Sequence, residues 1–288
     1  MNSSTFPIPI SRARSILSDW GISNPQEIDL DLIAAELGIL IVEKDIAGSA
    51  ARLVCVGRSA IISINQHIRE VGRKRFAIAH ELGHFILHKH QTPGTICTEE
   101  SFFTWYNQSV GVKEANVFAA ELLMPESLFR EHIVKTTPDL KTVQRLSGEF
   151  NTTLTATAIR YVELGELPCA IFASCAGKVK WFSASQNFPY KLIKPGSNLH
   201  EYSCANDFFK NGSAPSEPET VQAVAWFENY EKGSRCYLYE QAIPLPLYNT
   251  VLSLIWIRED QNRSTEFEYC ESPLDPEKFT PDGKRYRW

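Results

Sequence analysis

Apolar residues recur at helical spacing through the first half of the chain and at strand spacing through much of the second. Residues 11–20 form a short amphipathic pattern closed by Gly21, and residues 29–37 form another closed by Gly38. A glycine just past the last periodic residue supplies the left-handed conformation that ends a helix. Three short runs follow at 39–42, 53–56 and 61–64, rich in β-branched residues and separated by Gly48 and Gly57. They predict a small three-stranded sheet packed on helices.

From Arg69 the period is helical again through His88, with Phe76, Ala79, Gly83 and Ile86 on one face. Ala79 and Gly83 are small enough to let a neighbouring element approach closely. Residues 91–111 are polar with scattered aromatics and read as a loop, long enough to suggest a functional one. A helix over 113–124 stops at Pro125 and restarts over 126–133. Residues 139–150 and 153–164 form a helix-turn-helix-like pair joined by Asn151-Thr152 and ended by Gly165. Asn151 suits a left-handed corner, and Thr153 or Thr155 suits the N-cap of the second helix.

Beyond Leu167 the texture changes to strands at 169–174, 178–183, 221–227, 235–241 and 251–257, with Ala176-Gly177 placed like a hairpin turn. Residues 189–198 and 211–219 are Pro- and Gly-bearing loops, and 273–288 has three prolines and no clear period. The expected class is α+β. A zincin-like helical domain with the small sheet and the helical pair occupies 1–165, and a mainly antiparallel β domain, regulatory in character, occupies 166–288.

Composition narrows the class of protein. The chain has 288 residues, with 29 basic and 34 acidic side chains for a net charge of −5. At 43% hydrophobic and 22% charged it is neither disordered nor a coiled-coil rod. Mild acidity argues against non-specific binding to nucleic acid or to a membrane surface. Seven cysteines with no Cys-x-x-Cys spacing form neither a disulfide framework nor a thiolate zinc site, which points to a reducing compartment. The amino-terminal stretch MNSSTFPIPI lacks the basic and apolar regions of a secretory signal. The longest uncharged apolar stretch, 242–257, has 16 residues and includes Pro244, Pro246 and Asn249. A spanning helix needs roughly 20, so the expectation is a soluble, cytoplasmic protein.

Candidate chemistry lies in the 69–88 helix, where His80-Glu81-Leu82-Gly83-His84 has the form H-E-x-x-H. On a helix, residues i and i+4 share a face, so the two imidazoles can grip one metal ion. Chance supplies such a pentapeptide about 0.015 times in a chain of this composition and length. The plain alternative is two helix-surface histidines beside an ordinary acidic residue. Neutral imidazoles suit zinc, or another divalent transition metal, and two of them leave room for a third protein ligand and a water. A bound metal lowers the pKa of that water to about 7, and Glu81 is placed to act as general base. The expected reaction is hydrolysis of a peptide bond.

The third ligand is less local. His90 has metzincin spacing, but the glycine that pattern requires after the second histidine is Leu87. His88 drifts by about 40° from His84 and rises a turn further along the helix, which favours a packing or supporting role. A carboxylate on the 113–124 helix is the remaining source, for a His₂Glu site.

Arg75-Phe76, then Ala79-His80-Glu81-Leu82-Gly83-His84 and His88, then Glu114-Ala115-Asn116-Val117-Phe118-Ala119-Ala120-Glu121-Leu122-Leu123-Met124-Pro125 strongly resemble the ImmA/IrrE family of metallopeptidases. The likeness covers roughly 29–165. It implies a zinc-dependent endopeptidase that cleaves a helix-turn-helix repressor of the Xre type and so relieves repression of stress-response or mobile-element genes. It makes His80 and His84 ligands and Glu81 the catalytic acid/base. Some family members carry a GAF-like sensory domain after this region.

One position departs from the family pattern. The ligand carboxylate is expected four residues before Asn116, where this chain has Val112. Glu114 is the nearest carboxylate and stands as the third-ligand candidate. It lies about 200° round an ideal helix from position 112, so its use requires a helix start shifted or unwound near Gly111. Glu121 shares its face and reads equally well as a solvated charge. Asn116 can contact a ligand histidine. The competing reading is a metal-binding regulatory protein with weak or no peptidase activity.

The remaining features divide between function and packing. A DNA-binding role for the 139–164 pair meets the difficulty that 153–164 offers only Arg160 as a basic residue. Packing of Leu140, Val143, Leu146, Phe150 and Leu154 explains the same pattern. Aromatics of the second half, among them Trp181, Phe188, Tyr190, Trp226 and Trp256, read as core. Cys97 reads as an inert thiol. Tyr106 and Arg75 are candidate stabilisers of the tetrahedral oxyanion.

Overall fold

A computed structural model describes residues 6–46, 48–56, 59–88, 95–98, 109–133, 137–188, 190–215, 217–228 and 237–257. The architecture is α+β, in two compact units. Met1–Ile133 with Lys141–Tyr161 form one, and Val134–Leu140 with Val162–Trp288 form the other. The sequence pattern assigns the whole helical pair to the first domain, whereas this division crosses its second helix. Leu140 N–H donates to Gln241 Oε1 at 2.7 Å, which ties Leu140 into the second unit. No helix among the described residues is long and apolar enough to cross a membrane.

In the first unit α1 (Pro7–Asp19) starts earlier than the periodicity suggests, because Pro7 sits in the first turn, where a missing N–H costs nothing. Gly21, at φ 62°, closes it and lets Ile22 N–H reach the Leu17 carbonyl at 2.9 Å. The Asp29 side chain caps α2 (Leu30–Glu36) by accepting from Asp31 and Leu32 N–H. The three expected strands are β1 (Ile39–Lys44), β2 (Ser49–Val56) and β3 (Ser59–Asn65). A fourth, β4 (Thr95–Thr98), joins them from the stretch that reads as loop, giving the order β1-β3-β2-β4. Four residues are too few to show an alternating pattern, so its pairing with β2, not its own sequence, makes it a strand. Cys97 lies on it, opposite Ala51.

The helices that follow are α3 (Val71–His88), which carries the candidate chemistry, α4 (Val110–Leu123), the short α5 (Glu126–Arg130), α6 (Leu140–Glu149) and α7 (Leu154–Leu164). Two glycines of α3 set its packing distances. A Cβ on Gly72 would lie 2.5 Å from Thr152 C and Thr153 N, so the α6–α7 corner rests directly on the first turn of α3. Asn151 turns that corner at φ 50°, and Thr153 Oγ1 accepts from Ala156 N–H at 3.1 Å as the cap of α7.

Glu121, a plausible surface charge from sequence, is only 2% exposed. Arg160 Nη2 donates to its Oε2, and Arg160 Nε donates to the Met124 carbonyl at 3.1 Å. Arg14 Nε donates to Glu121 Oε1, and Arg14 Nη2 to Glu126 Oε2, both at 2.7 Å. Arg160, the basic residue that a DNA-reading α7 would present, is thus buried inside the protein.

In the second unit β5 (Cys169–Cys175), β6 (Lys178–Ala184), β7 (Glu219–Gln222), β8 (Tyr237–Leu245) and β9 (Thr250–Trp256) form an antiparallel sheet in the order β6-β5-β9-β8-β7. Ala176 and Gly177, at φ 49° and 74°, turn the β5–β6 hairpin in the left-handed conformation it requires. The run 221–227 is a strand only to Gln222 and then a 3₁₀ turn at Ala223–Ala225. One face of the sheet carries a core that includes Phe172, Val251, Ile255 and Trp226, the Phe172 and Trp226 rings lying 4.3 Å apart.

Here α8 (Cys204–Asn211) is anchored by the fully buried Glu240, which accepts from Cys204 and Ala205 N–H at 3.0 Å, Trp226 Nε1 at 2.7 Å and Ser253 Oγ at 2.9 Å. Burial pushes its carboxyl up to about 6, against the pull of those four donors. Burial also pushes the Cys169 thiol up to about 12, as befits an inert core cysteine.

Removing one partner of a buried ion pair strands the other charge at a cost of about 3–5 kcal/mol. Glu121→Ala therefore lowers the unfolding free energy of the first unit by about that much, whereas Arg145→Ala, which removes an exposed pair with Glu149 on α6, stays within about 1 kcal/mol. Urea titration of the two variants checks the contrast.

Candidate metal centre

The site is built where α3 and α4 cross. At Gly83 an added Cβ would sit 3.0 Å from Phe118 Cδ1, 3.1 Å from Ala115 Cα and 3.2 Å from the Ala115 carbonyl oxygen. Only a residue without a side chain allows that approach. On either side of Gly83 the helix buries His80, Glu81 and His84, at 0%, 0% and 5% exposure.

Helical spacing brings the two imidazoles together as expected. His80 Nε2 and His84 Nε2 are 3.1 Å apart, and the rings meet edge to face with centroids at 4.7 Å. His80 Nδ1 lies 2.8 Å from Asn116 Oδ1 on α4. An amide oxygen only accepts, so that ring nitrogen carries the hydrogen and Nε2 keeps its lone pair. His84 Nδ1 contacts His88 Nδ1 at 3.2 Å, and His88 Nε2 contacts Glu114 Oε2 at 2.9 Å. Both candidate ligands therefore turn Nε2 inward and have Nδ1 engaged by the protein.

Electrostatics favour the neutral, ligating form of both rings. Burial first, then the neighbouring His84, lowers the His80 imidazole to about 3. Burial and the neighbouring His88 lower His84 to about 4. An imidazolium is disfavoured there because it would sit desolvated beside another ring that can carry charge. Two neutral imidazoles whose Nε2 atoms converge fit a borderline cation such as zinc.

Glu114, the expected third ligand, is not brought to the histidine pair. Among the described residues no three histidine, cysteine or acidic side chains gather to hold a metal. The physical reason is the start of α4. The helix begins at Val110, and Ser109 Oγ accepts from Val112 N–H, so there is no unwinding near Gly111 to swing residue 114 round. Its carboxylate reaches His88 instead. Val112 occupies the turn before Asn116 on the same face, where a carboxylate would have been needed.

The other candidates are placed as follows. Arg75 donates through Nη2 to the Ile28 carbonyl at 3.1 Å, and burial lowers its pKa despite the nearby Asp29 and Asp31. Glu121 belongs to the Arg14–Arg160 network. His90 and Tyr106 lie outside the described residues. The contact that sequence reasoning missed is His88 with Glu114. Its only signal was an i, i+4 histidine after the motif, and the partner depends on the α3–α4 register.

A helical H-E-x-x-H with its imidazoles converging has the arrangement expected of a zincin-type site. Residues 34–161 match the family model Peptidase_M78, the IrrE N-terminal-like domain, so this segment is similar to the ImmA/IrrE peptidases. No curated protein sequence matches the chain. A Mycobacterium tuberculosis transcriptional regulator of known structure shares the fold, with a TM-score of 0.51 at 13% identity over 90% of this chain and 79% of that one.

Gly83→Ala forces α4 away from α3, since the obstructing atoms include α4 backbone. Overpacking of this kind costs about 1–3 kcal/mol. The variant should melt earlier and bind zinc more weakly than the parent, as measured by thermal denaturation and by chelator competition.

Proposed function

We propose that this protein is a zinc-dependent endopeptidase of the cytoplasm that cleaves a helix-turn-helix repressor of the Xre type and thereby relieves repression. The observation that carries the hydrolase reading is the pair of Nε2 atoms 3.1 Å apart, each on a ring whose Nδ1 is held by the protein. The family match over 34–161 supports a metallopeptidase. The family resemblance supports a substrate among regulatory proteins.

His80 and His84 would hold the metal, and a zinc ion there supplies a Lewis acid that brings the pKa of a water near neutrality. Asn116 keeps His80 in the ligating tautomer. Glu81, fully buried beside His80, takes a proton from the attacking water and delivers it to the leaving amine nitrogen. Burial of the three side chains keeps bulk water from levelling these charges.

Val112 favours a second reading, a metal-binding regulator with weak or no peptidase activity, because among the described residues no third protein ligand joins the two histidines.

Two measurements separate the readings. Incubation of the zinc-loaded protein with a candidate repressor should give defined fragments by mass spectrometry, and Glu81→Gln should slow the cleavage by at least about 10²-fold; equal cleavage by the variant overturns the peptidase reading. Val112→Glu should raise zinc affinity by about tenfold or more if the site is ligand-poor. An unchanged affinity counts against the regulator reading.

A further inference from the structure

We propose that the free edge of β1 is a self-association surface, where the strand pairs antiparallel with β1 of a second copy of this chain about a two-fold axis at Ile41. The inference concerns the sheet of the first unit and involves none of the candidate metal ligands.

β1 ends the order β1-β3-β2-β4 and runs parallel to β3 without a bulge from Ile39 to Lys44. Its hydrogen-bonding phase is fixed at both ends. The Gly38 carbonyl accepts from Ala60 N–H at 3.2 Å, and the Lys44 carbonyl accepts from Gln66 N–H at 3.0 Å. Backbone groups alternate sides along a strand, so Leu40 and Val42 turn theirs toward β3, whereas Ile39, Ile41 and Glu43 turn theirs outward. Among the described residues no strand or turn bonds to those outward groups.

An edge of this kind calls for a cover. Edges that stay free are blunted by charged residues, proline or a bulge, and the run Ile39-Leu40-Ile41-Val42 has none of these. Leu40 pairs with Ile61, on the face of the sheet opposite the buried Ala60, Ile62 and Ile64, and is 59% exposed.

The strand is complementary to itself. A two-fold axis makes edge pairing antiparallel, and only outward residues exchange hydrogen bonds. Centring the pair on Ile41 sets Ile41 against Ile41 of the partner subunit and Ile39 against Glu43 of the partner subunit, so every outward N–H and carbonyl of β1 is matched. A shift by two residues leaves one outward residue of each β1 unmatched. Leu40 then faces Val42 of the partner subunit as a non-hydrogen-bonded pair, the geometry in which side chains approach most closely. The two charges sit together at the carboxyl end of β1, so the antiparallel partner brings Ile39 and Gly38 beside them and no like charge. Glu43 keeps its ion pair with Lys74 of α3 at 2.7 Å.

The test is sedimentation of the full chain at about 1–100 μM, where the parent should approach twice the monomer mass. Leu40→Lys, at an exposed position, should raise the dimer dissociation constant at least about tenfold and leave the circular dichroism unchanged. Ile41→Pro should do the same, since an edge strand tolerates proline where the lost N–H faces away from the sheet. Cysteine pairing reads the register against the parent as control. Leu40→Cys and Val42→Cys, mixed and oxidised, should give a disulfide-linked dimer, and neither should do so alone.

A parent that stays monomeric over that range overturns the proposal. So does a dimer that both Leu40→Lys and Ile41→Pro leave intact, which would lie on another surface. Crosslinking of either cysteine variant alone overturns the register centred on Ile41. If the parent is monomeric and Leu40→Lys instead weakens binding of a candidate repressor, the edge serves a segment of that protein and the second-copy assignment falls.

Discussion

The close crossing of α3 and α4 at Gly83 is the constraint on which the rest of the site depends. Phe118 and the backbone of Ala115 lie where a Cβ would be, so the helices meet at a distance most residue pairs forbid. At that distance Asn116 reaches His80, and Glu114 reaches His88. Side chains this short cannot bridge a wider gap, and their hydrogen bonds would weaken steeply with a further ångström. The same approach buries the two rings and keeps them neutral.

Buried polar groups elsewhere obey the same rule by other means. Glu121 is matched by two guanidinium groups, one buried and one half-exposed, and so fastens α1 and α7 to α4. Glu240 is matched by four donors that carry little or no formal charge, two of them the first N–H groups of α8. In both cases one carboxylate joins elements that are distant in sequence, because its desolvation is tolerable only when every partner is present. These networks are structural, and neither shares a residue with the histidine pair.

Legibility from sequence followed the range of each interaction. His80, Glu81 and His84 could be read because helical geometry alone places i beside i+4. The corner at Asn151 and the hairpin at Ala176-Gly177 could be read because turn chemistry is local. The fourth strand could not, since four residues in a polar stretch carry no period of their own. Nor could the fate of Glu114 or Glu121. Each is an ordinary acidic residue on a helix, and its partner lies 26 residues away in one case and 39 in the other.

By itself, then, the order of residues determined an α+β chain with a helical H-E-x-x-H and a valine where a third ligand was expected, since periodicity, turn residues and motif spacing are properties of neighbours along the chain. Tertiary structure decided which carboxylate meets which cation or ring. It sent Glu121 to Arg160 and Glu114 to His88, because the depth and register of helix packing depend on the volumes of all the residues between them.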